Sequence, residues 1–328
     1  MEPLPQGANF LRAKTLWEIG LHLAAAQSAP PDEPGTAQRG NRDMCIVIGS
    51  GTGAQFQPRF RLANGTASLV HAIVRGDIDV AFVNPSAILT QAYRGTGMFA
   101  SPQPVRVLAT VPTWDRCVGV VHPRTGIRTL AQVGERRYPL RLSIRANASH
   151  ASRVLLDQML AVYGFTLTDL QSWGGTLELC NTPGDARRLA LLRAGELDLI
   201  FDEGIRNFFE ESLALGMQPL VFEDAMLQHL EAIGWRRAPI LAGRYAHLSS
   251  DCVGIDFGGW PLYTRAELPE EDAYNVCAAL AARVDEIPWL PGEFTGLGQL
   301  GQDTDATPRD VPLHAGAARW YREHDFAV

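Results

Sequence analysis

The stretch Val74-Arg75-Gly76-Asp77-Ile78-Asp79-Val80-Ala81-Phe82-Val83-Asn84 recurs farther along the chain as Arg193-Ala194-Gly195-Glu196-Leu197-Asp198-Leu199-Ile200-Phe201-Asp202-Glu203. Glycine, acid, aliphatic, Asp, two aliphatics and Phe keep the same order in both copies. Each copy follows a run of helical apolar spacing, Leu69, Val70, Ile73 and Val74 in the first and Leu189, Leu191 and Leu192 in the second. A helix that ends on glycine, turns through an acid and enters a short buried strand accounts for all of these positions. Its recurrence points to two similar α/β lobes. In an open α/β sheet ligands gather beyond the carboxyl ends of the strands. Those ends are Asn84-Pro85-Ser86 and Asp202-Glu203-Gly204, so a cleft between two lobes is expected.

Size and composition agree with this reading. A chain of 328 residues has room for two lobes of roughly 100 to 200 residues each. With 46% hydrophobic and 20% charged residues it has a globular composition. The formal net charge of -7 argues against a nucleic-acid partner, which would require surplus cations to displace phosphate counterions. Lys14 is the only lysine, so Schiff-base chemistry has a single candidate amine. Cys45, Cys117, Cys180, Cys252 and Cys277 are scattered in apolar surroundings and read as small buried hydrophobes. Neither Cys-x-x-Cys nor His-Glu-x-x-His occurs, so no metal site is expected. No apolar run approaches the ~18 residues a membrane span requires. Trp17 to Ala29 ends in small residues, but Glu18 and His22 interrupt it, so it does not read as a signal peptide. On that basis the chain is cytoplasmic or already processed.

In chain order, Phe10, Ala13, Trp17, Leu21 and Ala24 predict an amphipathic helix over residues 9–27. Gly49-Ser50-Gly51-Thr52-Gly53-Ala54 mimics a dinucleotide fingerprint, but the third glycine is misplaced and Pro58 stands where the helix would propagate. Thr66 or Ser68 caps the helix beginning at Leu69, and that positive helix end is also a place for an anion. A helix from Ala87 to Tyr93 and a strand from Val105 to Val111 follow. Trp114 then stands on a cleft-facing loop, either stacking on a ligand or packing between lobes. Beyond a strand over Leu140 to Ile144, the loop Arg145-Ala146-Asn147-Ala148-Ser149-His150-Ala151-Ser152 opens a helix running to Tyr163. It combines a guanidinium able to grip a carboxylate in two places with hydroxyls, an amide and free helix N-H groups. The alternative is an N-cap with Arg145 paired to a surface acid. Cys252 to Tyr263 reads as one extended segment returning the chain to the first lobe, before an acid-capped helix over Ala273 to Val284.

This order of motifs resembles the solute receptors of TRAP transporters of the TAXI type. The carrying residues are Gly76-Asp77-Ile78-Asp79, Gly195-Glu196-Leu197-Asp198, Leu262 to Glu270, and the ending Pro312-Leu313-His314-Ala315-Gly316-Ala317 with Trp320-Tyr321-Arg322-Glu323. The resemblance implies the α/β, two-lobed periplasmic-binding-protein type II fold, with residues 1–118 and 248–328 forming one lobe and 119–247 the other. It implies periplasmic capture of a small organic acid, an amino acid, dicarboxylate or aromatic carboxylate, for delivery to TRAP permease membrane subunits. No cofactor, metal or catalytic residue is implied. The binding loops carry over to Asn9, Phe10, Thr66, Ser68, Asn84, Ser86, Arg145, Asn147 and Ser149, and the reading of the residues themselves adds Trp114 and Glu203. Three departures stand out. The relatives' signal peptide is not found, nor is their first strand with its glycine-rich loop, and Arg145 and Asn147 replace glycines usual in the relatives. An enzyme on the same scaffold, resembling decarboxylases of aromatic acids or pyrimidine synthases, is the alternative. The scattered His122, His150 and His314 give it no catalytic constellation. A ligand sensor is a third possibility.

Overall fold

The computed structural model of the protein describes residues 44–49, 58–64, 69–287 and 289–328. The expected helix over residues 9–27, with Asn9, Phe10 and Lys14, lies outside the described residues. So do Thr66, Ser68 and the glycine-rich run from Ser50 to Ala54. The strands are β1 Met44–Gly49, β2 Pro58–Asn64, β3 Val80–Phe82, β4 Val105–Val111, β5 Arg116–Val121, β6 Arg141–Arg145, β7 Thr176–Cys180, β8 Leu199–Asp202, β9 Gln218–Pro219, β10 Arg237–Ile240, β11 Cys252–Asp256 and β12 Trp260–Arg265. They form two sheets, one ordered β1-β2-β3-β12-β4 and the other β10-β11-β5-β8-β6-β7 with β9 beside β5. Among the described residues no helix is long and apolar enough to cross a membrane.

Strand direction decides where a site can form. In the first sheet β2 and β3 are parallel and β12 runs against both β3 and β4. In the second, β6 is parallel to β7 and β8, while β5 runs against β8 and β11. The chain leaves the first sheet at the end of β4 and enters the second at the start of β5. It returns from the end of β11 to the start of β12. Both crossings therefore lie at the carboxyl ends of the parallel strands of both sheets, and the two edges open onto the same pair of connections. This is the two-lobed mixed α/β fold that the repeat predicts.

The two copies of the repeat fold alike. The helices Leu69–Val74 and Ala186–Arg193 lead into β3 and β8. Gly76 and Gly195 adopt φ of 76° and 67°, left-handed conformations open to glycine without strain. The shared Asp has a matching task. Arg265 donates to Asp79 at 3.1 Å, and Arg124 and Arg141 both donate to Asp198 at 2.9 Å, so each buried carboxylate pins neighbouring chain.

One feature of the return differs from expectation. Cys252 to Tyr263 is not a single strand: β11 pairs with β10 and β5 in the second sheet, and β12 pairs with β3 and β4 in the first. Gly258 and Gly259 make the break, and a Cβ on Gly258 would stand 2.7 Å from the Thr113 carbonyl. Sheet membership thus changes at residues 112–115 and 257–259, against the expected boundaries at 118 and 248. An apolar cluster continues from Val70, Ile73, Ile88 and Leu89 on the helices beside the first sheet to Leu142 and Ile144 on β6, with Leu155 and Trp235 beside the second sheet. Trp235 stacks on Phe257 of the return crossing with centroids 5.8 Å apart. Cys117, Cys180 and Cys277 are free and buried, as small hydrophobes should be, whereas Cys252 is free but only half-buried.

Candidate functional site

The carboxyl edge of the second sheet holds a dense ionic cluster. The parallel register of β6 and β8, Leu142 beside Leu199 and Ser143 beside Ile200, brings Arg145 abreast of Asp202. Arg145 Nε donates to Asp202 Oδ1 at 2.8 Å, its Nη1 donates to the Asn181 carbonyl at 2.6 Å, and its Nη2 donates to Glu203 Oε1. Asp202 accepts in addition from Nη1 of Arg188 at 2.6 Å, and both of these side chains are fully buried. Arg188 Nε donates to the Ser143 hydroxyl at 2.9 Å, and Nη1 also donates to the Pro183 carbonyl at 3.1 Å. The guanidinium expected to grip a ligand is therefore engaged by the protein's own buried acids, not by a surface acid. The cause is the alignment of two adjacent strands.

The first crossing adds Asp115, which accepts backbone N-H groups from Arg116 at 2.8 Å and from Gly204 at 2.9 Å. Asp115 and Glu203 share a side-chain hydrogen bond. Two carboxyls so close, Glu203 buried and Asp115 half-buried, cannot both ionise at little cost. Burial first and Asp115 second push the Glu203 carboxyl up to about 8, with Arg145 opposing. Burial also raises Asp115. The pair thus holds one proton at neutral pH, resting on Glu203. On the other side of Asp115, Arg116 donates to Asp256 at 2.7 Å.

His150 caps the helix Ala151–Val162, its Nδ1 accepting from the Ser152 N-H at 3.3 Å while Nε2 lies 3.8 Å from Glu203. Burial first and Arg145 second lower its pKa, so it is neutral and serves as a cap. Asn147 and Ser149 are exposed above the cluster and bond one another, with the Ser149 N-H and hydroxyl donating to Asn147 Oδ1 at 3.0 and 2.8 Å. Trp114 is half-buried in the first crossing, with the Arg244 guanidinium 3.3 Å from its ring centroid and that of Arg116 at 4.9 Å. The indole stacks on the protein's own cations. At the carboxyl edge of the first sheet Asn84 is exposed and Ser86 is buried, and Ser86 opens a helix running to Arg94 that has no side-chain cap.

Arg145 and Glu203 are thus in contact, and Asn147 and Ser149 follow Arg145 on the same loop, while Asn84 and Ser86 stand at the carboxyl edge of the first sheet and Trp114 in the connection between the sheets. Asp115 and Arg188 escaped the sequence reading, and Asp202, expected there only as a strand end, was not read as a partner of Arg145. For Arg188 a signal exists, since it stands four residues before the buried Leu192 and so shares its helix face. A hollow of about 230 Å³ lined by Arg141, Glu178, Arg187 and Leu191 lies at the amino end of β6 and β7, away from this cluster. Two of its arginines are already paired, Arg187 with Glu178 at 2.6 Å and Arg141 with Asp198 at 2.9 Å.

The sequence profile of the NMT1-like family matches residues 50–324. No curated protein matches the chain. Among solved structures, lactococcal OpuAC in its closed form with glycine betaine is 11% identical, aligned over 79% of this chain and 82% of its own, with a TM-score of 0.37. The tungstate-binding protein of Desulfovibrio alaskensis is 13% identical over 71% of this chain and 81% of its own, with a TM-score of 0.34. The alkanesulfonate-binding protein of Xanthomonas axonopodis pv. citri bound to MOPS is 14% identical over 66% and 80%, with a TM-score of 0.29. Similarity this distant carries no argument about a ligand.

Proposed function

Since the chain belongs to the NMT1-like family, we propose that it is a solute-binding protein whose lobes close on a small organic acid. The observation that supports this reading is the strand direction of the two sheets, which turns both carboxyl edges toward one pair of connections. Two connections of a few residues each, flanked by two such edges, are what a hinge with a cleft requires. Asn84 and Ser86 on one edge, and Arg145, Asn147 and Ser149 on the other, are the contact residues in this proposal, with Glu203 beside Arg145 and Trp114 at the hinge. More finely, the motif resemblance supports a receptor of the TAXI type, held in the periplasm and passing an amino acid, dicarboxylate or aromatic carboxylate to TRAP permease subunits. Capture of this kind needs no catalytic group.

A melting-temperature screen with L-glutamate, succinate and benzoate tests the reading, one probe for each class of acid. A ligand that binds only the folded protein stabilises it by about 2.7 kcal/mol at a hundred times its Kd. At least one probe should raise the melting temperature and be recovered unchanged after hours. Chemical conversion of that probe would favour the enzyme reading, and a flat response to all of them would remove the organic-acid proposal.

A further inference from the structure

We propose that Glu203 is the protein's place-holder for the solute's carboxylate: it occupies the Nη2 edge of Arg145 and yields it to an incoming carboxylate while keeping its bond to Asp115. This rests on the solute-binding reading above.

The three nitrogens of Arg145 are unequally committed. Nε is held by Asp202, fully buried on β8 and shared with Arg188, and Nη1 is held by the Asn181 main chain. Glu203, which holds Nη2, lies just past the end of β8 and already has a second partner in Asp115. It is the partner that can let go without leaving an unpaired group.

Charge points the same way. Glu203 faces two other acids, Asp115 and Asp202, and one guanidinium, that of Arg145, so acids outnumber cations around it. One proton on the Asp115–Glu203 pair relieves the repulsion. Protonated, Glu203 is a neutral acceptor for the guanidinium, whereas an ionised carboxylate adds the Coulomb attraction of opposite charges at the same distance. A solute carboxylate therefore wins the edge while the pair stays protonated and loses it once Glu203 ionises. The groups facing Glu203 are Asp115 from the first crossing, Asp202 beside it on β8, Arg145 from β6, His150 from the helix cap and Cys117 from β5. His150 is held neutral and burial holds the Cys117 thiol well above its usual range. The Asp115–Glu203 pair is thus the member of this group that titrates near pH 8.

The experiment is calorimetric titration of L-glutamate, succinate and benzoate into the wild type and E203Q at pH 6.5 and pH 9. Gln reproduces the protonated acid, donating to Asp115 and accepting from Arg145, so E203Q should melt no lower than the wild type at pH 7. Wild-type affinity for the bound probe should fall roughly tenfold between the two pH values, one order of magnitude for each pH unit above the titration. E203Q should bind at pH 9 as tightly as the wild type does at pH 6.5. Equal pH profiles for the two proteins, or a flat wild-type profile with binding intact, would overturn the place-holder role and leave the solute-binding reading standing. No binding of any probe by either protein would remove both.

Discussion

Arg187 and Arg188 are neighbours in sequence with opposite fates. Arg187 is largely exposed and pairs with Glu178 at 2.6 Å, whereas Arg188 is fully buried and holds Asp202 at the same distance. Exposed pairs contribute about 0.2–1 kcal/mol because water competes for both charges. Removing one partner of a buried pair costs about 3–5 kcal/mol, because the remaining charge has no replacement for its lost hydration. Urea unfolding should therefore show Arg188→Met losing several kcal/mol and Arg187→Met less than one. Equal losses would mean that Arg145 alone suffices for Asp202. Arg145 stands out in the sequence because it ends a strand and begins the loop that leads into a helix. The sequence did not reveal which acids hold it, because Asp202 and Glu203 lie 57 and 58 residues away and reach it only through strand register.

Among elements, the ending with the most specific resemblance is explained by packing. The helix Ala315–Glu323 lies against the helix Glu270–Ala282, and a Cβ on Gly316 would fall 2.0 Å from the Glu270 carbonyl oxygen. His314 caps the same helix by accepting from the Gly316 N-H at 3.2 Å. Two effects compete in Gly316→Ala. Helix propensity favours alanine by about 1 kcal/mol. Forcing a methyl into a filled contact costs about 1–3 kcal/mol, and more when the neighbour is backbone that cannot swing aside. The clash wins, so the variant should melt several degrees lower, and a melting temperature at or above wild type would show that the two helices can separate cheaply. Periodicity and caps made such elements legible, including the strand Val105–Val111 and both helix ends flanking the repeats. The split between β11 and β12 was not legible, since the glycines at 258 and 259 mark a bend without saying which sheet each side joins.

At the level of the whole molecule, side chains from the second sheet's surroundings clasp those of the first. Arg236 donates to Asp310 at 2.7 and 3.1 Å and to Asp303 at 3.3 Å. The Thr96 hydroxyl donates to the Ile233 carbonyl at 2.6 Å, and Arg206 pairs with Glu293 at 2.9 Å. The Arg236–Asp310 pair is partly solvated, with side chains 30% and 24% exposed, so it contributes about 1 kcal/mol or less and cannot hold a fold together. It can bias a hinge, because 1.4 kcal/mol already shifts a two-state population tenfold. If the lobes open and close, these contacts belong to the closed arrangement. Asp310→Ala should then enlarge the radius of gyration of the ligand-free protein in small-angle scattering. It should also weaken carboxylate binding several-fold through the smaller closed population, while leaving the urea midpoint nearly unchanged. An unaltered radius with unaltered affinity would assign the clasp a static role, and the apolar contact of Trp235 on Phe257 would then be what sets the angle between the lobes.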